Sequence, residues 1–308
     1  MIPGVNYLNK MNNLKLDFVG IGVARAGTTW IYECLKEHPQ ICMSKNEEGG
    51  FFNSLKEKNR GLKSYPDSYS FNFAHCPEGQ IRGEYNPLYL ADPEVLHLIK
   101  KHYPEIKIIV CLRNPVERAY SHFLGTKLVG EISKTETFEG AIEKGTENDC
   151  IKLGFYYSQL KTVFELFPEN NILVLINEDI AKNPAKFIQS IYEFLGVDSS
   201  FIPSIVNEKL RQLSQNTLRS VLLNKAIRKA LEFFRWKPLK PIVVFLKKIG
   251  VNRLINLVTS TNYTPPTRRK PYTKPPIMEK DRKRLQEIYS PEIKNLEKLL
   301  NKDLSFWH

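Results

Sequence analysis

Residues 16–30 read LDFVGIGVARAGTTW, and this stretch decides the predicted fold. Its first part, 16–23, is an apolar run with several β-branched residues, which predicts a short buried strand. The glycine-containing loop 24–29 follows, and beyond it apolar residues such as Ile31 and Leu35 recur at helical spacing. A strand, a glycine loop and a helix in this order are the opening unit of an α/β protein.

The alternation of strands and helices continues as far as Gly196. Three further strands are predicted, at 80–84, 106–112 and 172–176. Helices are predicted at 93–102, 156–167 and 184–195. Asn114 followed by Pro115 is typical of one more helix start, and Gly196 is typical of a helix end. Because 106–112 is continuously apolar, we expect a P-loop-like parallel sheet with helices on both faces.

The C-terminal third has no strand pattern. We interpret 1–308 as one domain with an α/β nucleotide-binding core at 14–200. A basic insertion at 201–276 is helical in pattern over most of its length and ends in a proline-rich loop. A helix or helix pair is predicted in the closing region, 277–308.

Composition excludes several classes of protein. With 42% hydrophobic and 25% charged residues, the chain is neither disordered, collagen-like nor a coiled coil. No run approaches the ~18 apolar residues of a membrane span, and no secretory signal is visible, so we expect a cytoplasmic location. The 5 cysteines are odd in number and lack a C-x-x-C pair, which argues against a disulfide framework or a cysteine zinc site and for a reducing compartment. The net charge of +12 indicates an anionic partner.

The glycine loop differs at one position from a loop that binds nucleoside triphosphates. Residues 22–29 match the Walker A pattern G-x-x-x-x-G-K-S/T, except that Thr28 replaces the lysine. Backbone N–H groups at such a helix start still form an anion cradle. The lysine that reaches the β- and γ-phosphates is missing, and Arg25 is the nearby cation. We therefore expect a shorter anion than a triphosphate, with a plain capping turn as the alternative.

The segment ARAGTTW at 24–30 resembles the 5′-phosphosulfate-binding loop of sulfotransferases that use 3′-phosphoadenosine-5′-phosphosulfate (PAPS). The similarity is to bacterial members and to the heparan-sulfate or carbohydrate type. It implies that the loop binds PAPS through six residues, Arg25, Ala26, Gly27, Thr28, Thr29 and Trp30. In the same resemblance Arg25 is also catalytic, because it stabilises the leaving 5′-phosphate.

A second motif, RNPVERAYS at 113–121, resembles the 3′-phosphate motif of the same family. The resemblance implies that Arg113 and Ser121 bind the 3′-phosphate of PAPS. Without it, a pairing of Arg113 with a carboxylate is equally open. Arg268 and Arg269 lie where the family has a basic loop over the 3′-phosphate and adenine, and a solvated loop is the alternative there.

The general base is assigned through a third match. KNEEGGFF at 45–52 resembles the E-x-x-F-F segment of the family, which implies Glu48 as the base and leaves Glu47 as the alternative. From the residues alone, a solvated loop with two acids also stays open, and His75 and His122 are fallback bases. A weaker match, GEYNPLYL at 83–90, resembles the family's G-E-K-S/T-P-x-Y-L, with tyrosine and asparagine replacing the lysine and the hydroxyl residue.

These observations predict a PAPS-dependent sulfotransferase that transfers a sulfuryl group to a hydroxyl or amine. PAP is the product, and no metal is expected because no H-x-x-x-H, D-x-D or cysteine pair occurs. The acceptor is a glycan, a glycolipid, a lipid or a small molecule, with peripheral membrane contact open and no nucleic acid expected. The main alternative is a P-loop kinase or other nucleoside-triphosphatase with a degenerate loop. A non-enzymatic nucleic-acid or membrane-surface binder would rest on the basic stretch 205–258.

Overall fold

The computed structural model describes residues 15–59, 70–133, 135–208 and 273–307. Its centre is a parallel sheet of five strands in the order β2-β3-β1-β4-β5. The strands are β1 (Phe18–Gly22), β2 (Ile41–Met43), β3 (Ile81–Tyr85), β4 (Lys107–Leu112) and β5 (Ile172–Ile176). The predicted α/β class and parallel sheet are confirmed. β1 lies in the middle and is buried along its whole length, so the loop that follows it opens at the centre of the sheet edge.

Helices cover the sheet. In chain order they are α1 (Thr28–Glu37), α2 (Phe51–Asn59), α3 (Pro93–His102), α4 (Pro115–Leu128), α5 (Phe138–Glu143), α6 (Asp149–Lys152), α7 (Tyr156–Leu166), α8 (Glu178–Lys182), α9 (Pro184–Leu195) and α10 (Glu279–Leu300). The predicted end of α9 is confirmed, because Gly196 adopts φ +79° there. Asn114 caps α4 as predicted, since its Oδ1 accepts hydrogen bonds from the N–H groups of Val116 (3.0 Å) and Glu117 (3.3 Å).

The C-terminal region is one helix rather than two, and α10 continues through Pro291. It packs on α7 and α4 through buried residues spaced three or four apart, namely Leu285, Tyr289, Ile293 and Leu296. Tyr289 Oη also donates a hydrogen bond to the Ile151 carbonyl (2.8 Å). The helix therefore belongs to the same hydrophobic core as the sheet.

The sequence argued against disulfide bonding, and the structure contradicts this for one pair of cysteines. Cys42 on the edge strand β2 forms a disulfide with Cys76, and their Cα atoms are 5.7 Å apart. The fold brings these two residues together from 34 positions apart, so no local spacing pattern announces the pair. The other three cysteines are free and buried: Cys34, Cys111 and Cys150.

Two further predictions concern other parts of the chain. Arg268 and Arg269, with most of the basic stretch 205–258, lie outside the described residues. Among the residues that are described, no helix is both long and apolar enough to cross a membrane.

Candidate active site

The loop after β1 is held by side chains from its neighbours. Three side chains donate to backbone carbonyls here: Tyr85 Oη to Gly22, the last residue of β1 (2.9 Å), Cys111 Sγ to Ala26 in the loop (3.2 Å) and Arg113 Nη1 to Arg25 in the loop (2.8 Å). Tyr85 stands where the family motif has a lysine, and it is fully buried under the loop. Its contribution is therefore to support the loop, and its side chain does not reach a surface where an acceptor could bind.

Helix α1 begins at Thr28, Gly27 is its N-cap residue, and the first N–H groups of the helix face this loop. Gly27 has φ +80°, and no side chain of the described residues caps the helix. A Cβ at position 27 would lie 2.9 Å from Asn177 Nδ2, so both the conformation and the space require glycine. Helix N-termini present unpaired N–H donors and a partial positive charge. The loop can therefore bind an anion through its backbone, as its sequence predicts.

Arg25 is the cation of this loop, and it adopts φ +74°. The residue is exposed as a whole, but its guanidinium packs against Gly125 of α4. Desolvation lowers the pKa of Arg25, while the charges of Glu48 and Glu131 raise it. The guanidinium thus stays protonated and lies within electrostatic range of Glu48.

Arg113 and Ser121 lie on the connection from β4 into α4. Arg113 follows β4 directly, and none of the described carboxylates forms an ion pair with it. Its hydrogen bond to the Arg25 carbonyl joins the two regions of sequence that resemble phosphate-binding motifs. Ser121 is buried in the second turn of α4. The structure therefore brings the loop and the start of α4 to one edge of the sheet.

The two candidate acids act on different neighbours. Glu48 is exposed with φ +59°, its N–H donates to the Tyr85 carbonyl (3.1 Å), and its charge acts on Arg25. Glu47 is half-buried. The pKa of Tyr32 is raised to about 12 by burial and then by the charges of Glu33 and Glu47. Of the two acids, Glu48 is the one whose charge acts on the loop arginine.

Comparison with known proteins identifies the family of this chain. The family model described as "Sulfotransferase domain" matches residues 15–236, which is more than half of the chain. The chain belongs to the sulfotransferase family. The family recognised from the sequence is therefore confirmed.

Two curated human relatives resemble this sulfotransferase. Heparan sulfate glucosamine 3-O-sulfotransferase 6 (Homo sapiens) is 29% identical over 186 residues, covering 58% of this chain and 51% of that protein. Bifunctional heparan sulfate N-deacetylase/N-sulfotransferase 2 (Homo sapiens) is 27% identical over 195 residues, covering 58% of this chain and 22% of that protein. The chain thus spans about half of the first relative and less of the second.

A solved structure shares the fold. The crystal structure of a sulfotransferase from Alicyclobacillus acidocaldarius superposes with a TM-score of 0.66 at 20% identity. The superposition covers 96% of this chain and 99% of the chain of the Alicyclobacillus acidocaldarius protein. This likeness at low sequence identity shows that the two proteins share a fold.

The fallback base His75 lies at the outer edge of the sheet. It is exposed, and its Nε2 lies 3.4 Å from Cys42 Sγ beside the disulfide. Among the described residues, Cys42, His75 and Cys76 form the one group of potential metal ligands that come together, and the disulfide joins its two sulfur atoms. His75 thus contacts the edge strand β2, which is separated from β4 by β3 and β1.

The other fallback base, His122, is on α4 close to Arg25. Arg118 Nη1 donates to its Nδ1 (3.2 Å), because a guanidinium cannot accept a hydrogen bond. Desolvation, followed by the charges of Arg118 and Arg25, lowers the pKa of His122 to about 3. At neutral pH the imidazole is therefore uncharged, with its proton on Nε2.

This neutral histidine predicts a specific acid sensitivity of the sulfotransferase. The pKa of His122 is about 3 in the folded protein and ~6.5 when unfolded, so between these values the unfolded state binds more protons. The free energy of unfolding should therefore fall by ~2 kcal/mol between pH 7 and pH 5 from this group alone. Urea denaturation at both pH values measures the change.

The matched variants are His122→Gln and His75→Gln. Replacing His122 should remove this part of the pH dependence, and His75→Gln is the matched replacement of a histidine at an exposed position. An equal loss of stability between pH 7 and pH 5 in the wild type and in His122→Gln would show that His122 is not buried in its neutral form.

Proposed function

We propose that this sulfotransferase transfers the sulfuryl group of PAPS to a hydroxyl or amine of an acceptor and releases PAP. The observation that carries the proposal is the hydrogen bond of 2.8 Å from Arg113 Nη1 to the Arg25 carbonyl. It joins the anion-binding loop at the start of α1 to the strand end that precedes α4. Two phosphate groups of one nucleotide could therefore be bound at neighbouring positions on one edge of the sheet.

Each part of the site has a role in this proposal. The backbone of the loop, from Arg25 through Trp30, would hold the 5′-phosphosulfate at the α1 N-terminus. Arg113 and Ser121 would bind the 3′-phosphate, since an arginine fork suits a terminal phosphate. Arg268 and Arg269 are proposed to cover the same phosphate and the adenine. This family carries the loop without the Walker A lysine, in agreement with Thr28 in its place.

The chemistry needs one base and one stabilised leaving group. The acceptor oxygen or nitrogen forms a bond to sulfur while the bond from sulfur to the 5′-phosphate oxygen breaks. Glu48 takes the proton of the acceptor, and Arg25 with the backbone N–H groups stabilises the charge that grows on the phosphate. Since the SO₃ group carries less charge than a phosphoryl group, these donors suffice and the proposal requires no metal ion.

Glu48 is proposed as the base in preference to Glu47. Its support is the electrostatic interaction with Arg25, which places the carboxylate charge near the group that would hold the leaving phosphate. Glu47 is half-buried and acts on Tyr32 instead.

The acceptor class is proposed from the relatives. Both human relatives are named as sulfotransferases of heparan sulfate, one for a 3-O position and one for nitrogen. An anionic or neutral glycan is therefore the acceptor we propose, and a net charge of +12 suits an anionic one. A hydroxyl and an amine are both compatible with a carboxylate base.

The test of this function is nucleotide selectivity. A charge-assisted contact to the 3′-phosphate is worth ~1.5–3 kcal/mol, so PAP should bind at least about tenfold more tightly than AMP. Arg113→Ala should remove most of that preference and leave AMP affinity nearly unchanged, because Tyr85 and Cys111 still hold the loop. Calorimetric titration of both nucleotides into both proteins measures the four affinities.

Two results would contradict the assignment. Equal affinities of the wild type for PAP and AMP would remove the 3′-phosphate site and weaken the proposed use of PAPS. An Arg113→Ala variant that still prefers PAP would move the 3′-phosphate to other residues.

A further inference from the structure

Gly125 lies in the interior of α4, where glycine normally weakens a helix relative to alanine. The three atoms nearest to a Cβ built at this position all belong to the guanidinium of Arg25. A Cβ built at position 125 would overlap Nη2 and would lie 2.6 Å from Cζ and 3.2 Å from Nε of Arg25. The absence of a side chain at 125 is thus what makes room for the loop arginine.

Gly140, another glycine in a helix, has different neighbours. A Cβ at Gly140 in α5 would meet Thr137 Oγ1 at 3.2 Å and Glu136 Oε1 at 3.7 Å. Both atoms belong to the two residues that precede α5, and neither is part of the candidate site. Gly140 therefore serves as a control for the loss of a helical glycine as such.

The backbone of Arg25 is held in place beside Arg113. The residue has φ +74°, and its carbonyl accepts the hydrogen bond from Arg113. The guanidinium packs against Gly125 and is close enough to His122 for its charge to lower the pKa of that histidine. His122 is neutral at pH 7, and Arg118 is the residue of α4 whose positive charge acts on Arg25. Because position 125 has no side chain, the backbone of α4 lies directly beside the guanidinium.

We propose that Gly125 is a positioning residue for sulfuryl transfer, which holds the Arg25 guanidinium where the leaving phosphate forms. The inference rests on the proposed role of Arg25. A methyl group at 125 would displace the far end of a flexible side chain, which disturbs folding little. It would cost rate, because electrostatic stabilisation of a transition state depends on close placement of the donors. The same glycine explains how the loop accommodates arginine, which is broader at its tip than lysine.

The experiment combines Gly125→Ala with Arg25→Lys in all four combinations. With the native arginine at position 25, alanine at 125 should lower kcat ~10–100-fold, with PAP affinity changed less than about threefold and Tm not lowered. In the Arg25→Lys background the same substitution should change kcat less than about threefold, because lysine has no atom equivalent to Nη2. Gly140→Ala should leave kcat unchanged.

Two kinetic results would overturn the inference. The first is an unchanged kcat in Gly125→Ala. The second is an equal loss of kcat on Gly125→Ala with arginine and with lysine at position 25, which would indicate a general distortion of α4. If the wild-type protein transfers no sulfuryl group, the proposed function fails first. The position of the guanidinium is then read from the ¹⁵N NMR signal of Arg25 Nε–H, identified by its loss in Arg25→Lys. That signal should shift in Gly125→Ala and not in Gly140→Ala, and an unshifted signal would overturn the inference.

Discussion

Replacing Glu48 by glutamine should lower the rate of sulfuryl transfer by roughly 10²–10⁴-fold while PAP affinity stays largely unchanged. Glutamine keeps the shape of the side chain but cannot accept the proton of the acceptor. The backbone of residue 48 should not move, because its N–H still donates to the Tyr85 carbonyl. The rate is measured as transfer of label from ³⁵S-labelled PAPS onto a mixture of glycans and lipids, and PAP affinity is measured by calorimetry.

The adjacent acid supplies a matched control. Glu47→Gln removes one carboxylate from the same loop, but that carboxylate acts on Tyr32, so the transfer rate should change little. A large loss in Glu47→Gln with an active Glu48→Gln would move the base by one residue. If both variants remain active, neither acid is the base. His122 is then a poor substitute, since its pKa of about 3 makes it a weak proton acceptor.

The sheet could be predicted because its strands are buried on both faces. Continuous apolar runs mark β4 and β5, and the loop after β1 is marked by glycine in a local pattern. The elements that escaped prediction are short. β2 has only 3 residues and α6 only 4, which is too few for any periodicity to show. The helix α2 is longer, with 9 residues, and was not predicted either. Its first residues, Phe51 and Phe52, were interpreted together with the acidic loop before them as part of the motif for the general base.

The site was predictable where it depends on local sequence and not where it depends on tertiary contact. The loop 24–29 and the Asn114 cap could be predicted because the residues involved are neighbours in the chain. Cys111, which donates to the Ala26 carbonyl from 85 positions away, has no local signature. Asn177 packs beside Gly27. It could have been suspected from its place at the carboxyl end of β5, where ligands of parallel sheets bind.

Arg25→Ala should cost ~2–4 kcal/mol of transition-state stabilisation, by analogy with the loss of one oxyanion donor. The guanidinium would act on charge that develops only as the bond from sulfur to the 5′-phosphate breaks. PAP affinity should therefore fall less than the transfer rate. Folding should be little affected, because the Arg25 carbonyl that accepts the hydrogen bond from Arg113 belongs to the backbone and stays in place. Single-turnover transfer from labelled PAPS and calorimetric titration with PAP give the two quantities.

The comparison with Arg113→Ala makes this prediction specific. Both variants remove one positive charge, and a hydrogen bond of 2.8 Å joins the two residues, so a purely electrostatic effect on nucleotide binding would affect them alike. The proposed roles predict opposite patterns. Arg113→Ala should lose the preference for PAP over AMP, whereas Arg25→Ala should keep that preference and lose turnover. A rate near that of the wild type in Arg25→Ala would remove Arg25 from the mechanism, and with it the reason for a glycine at position 125.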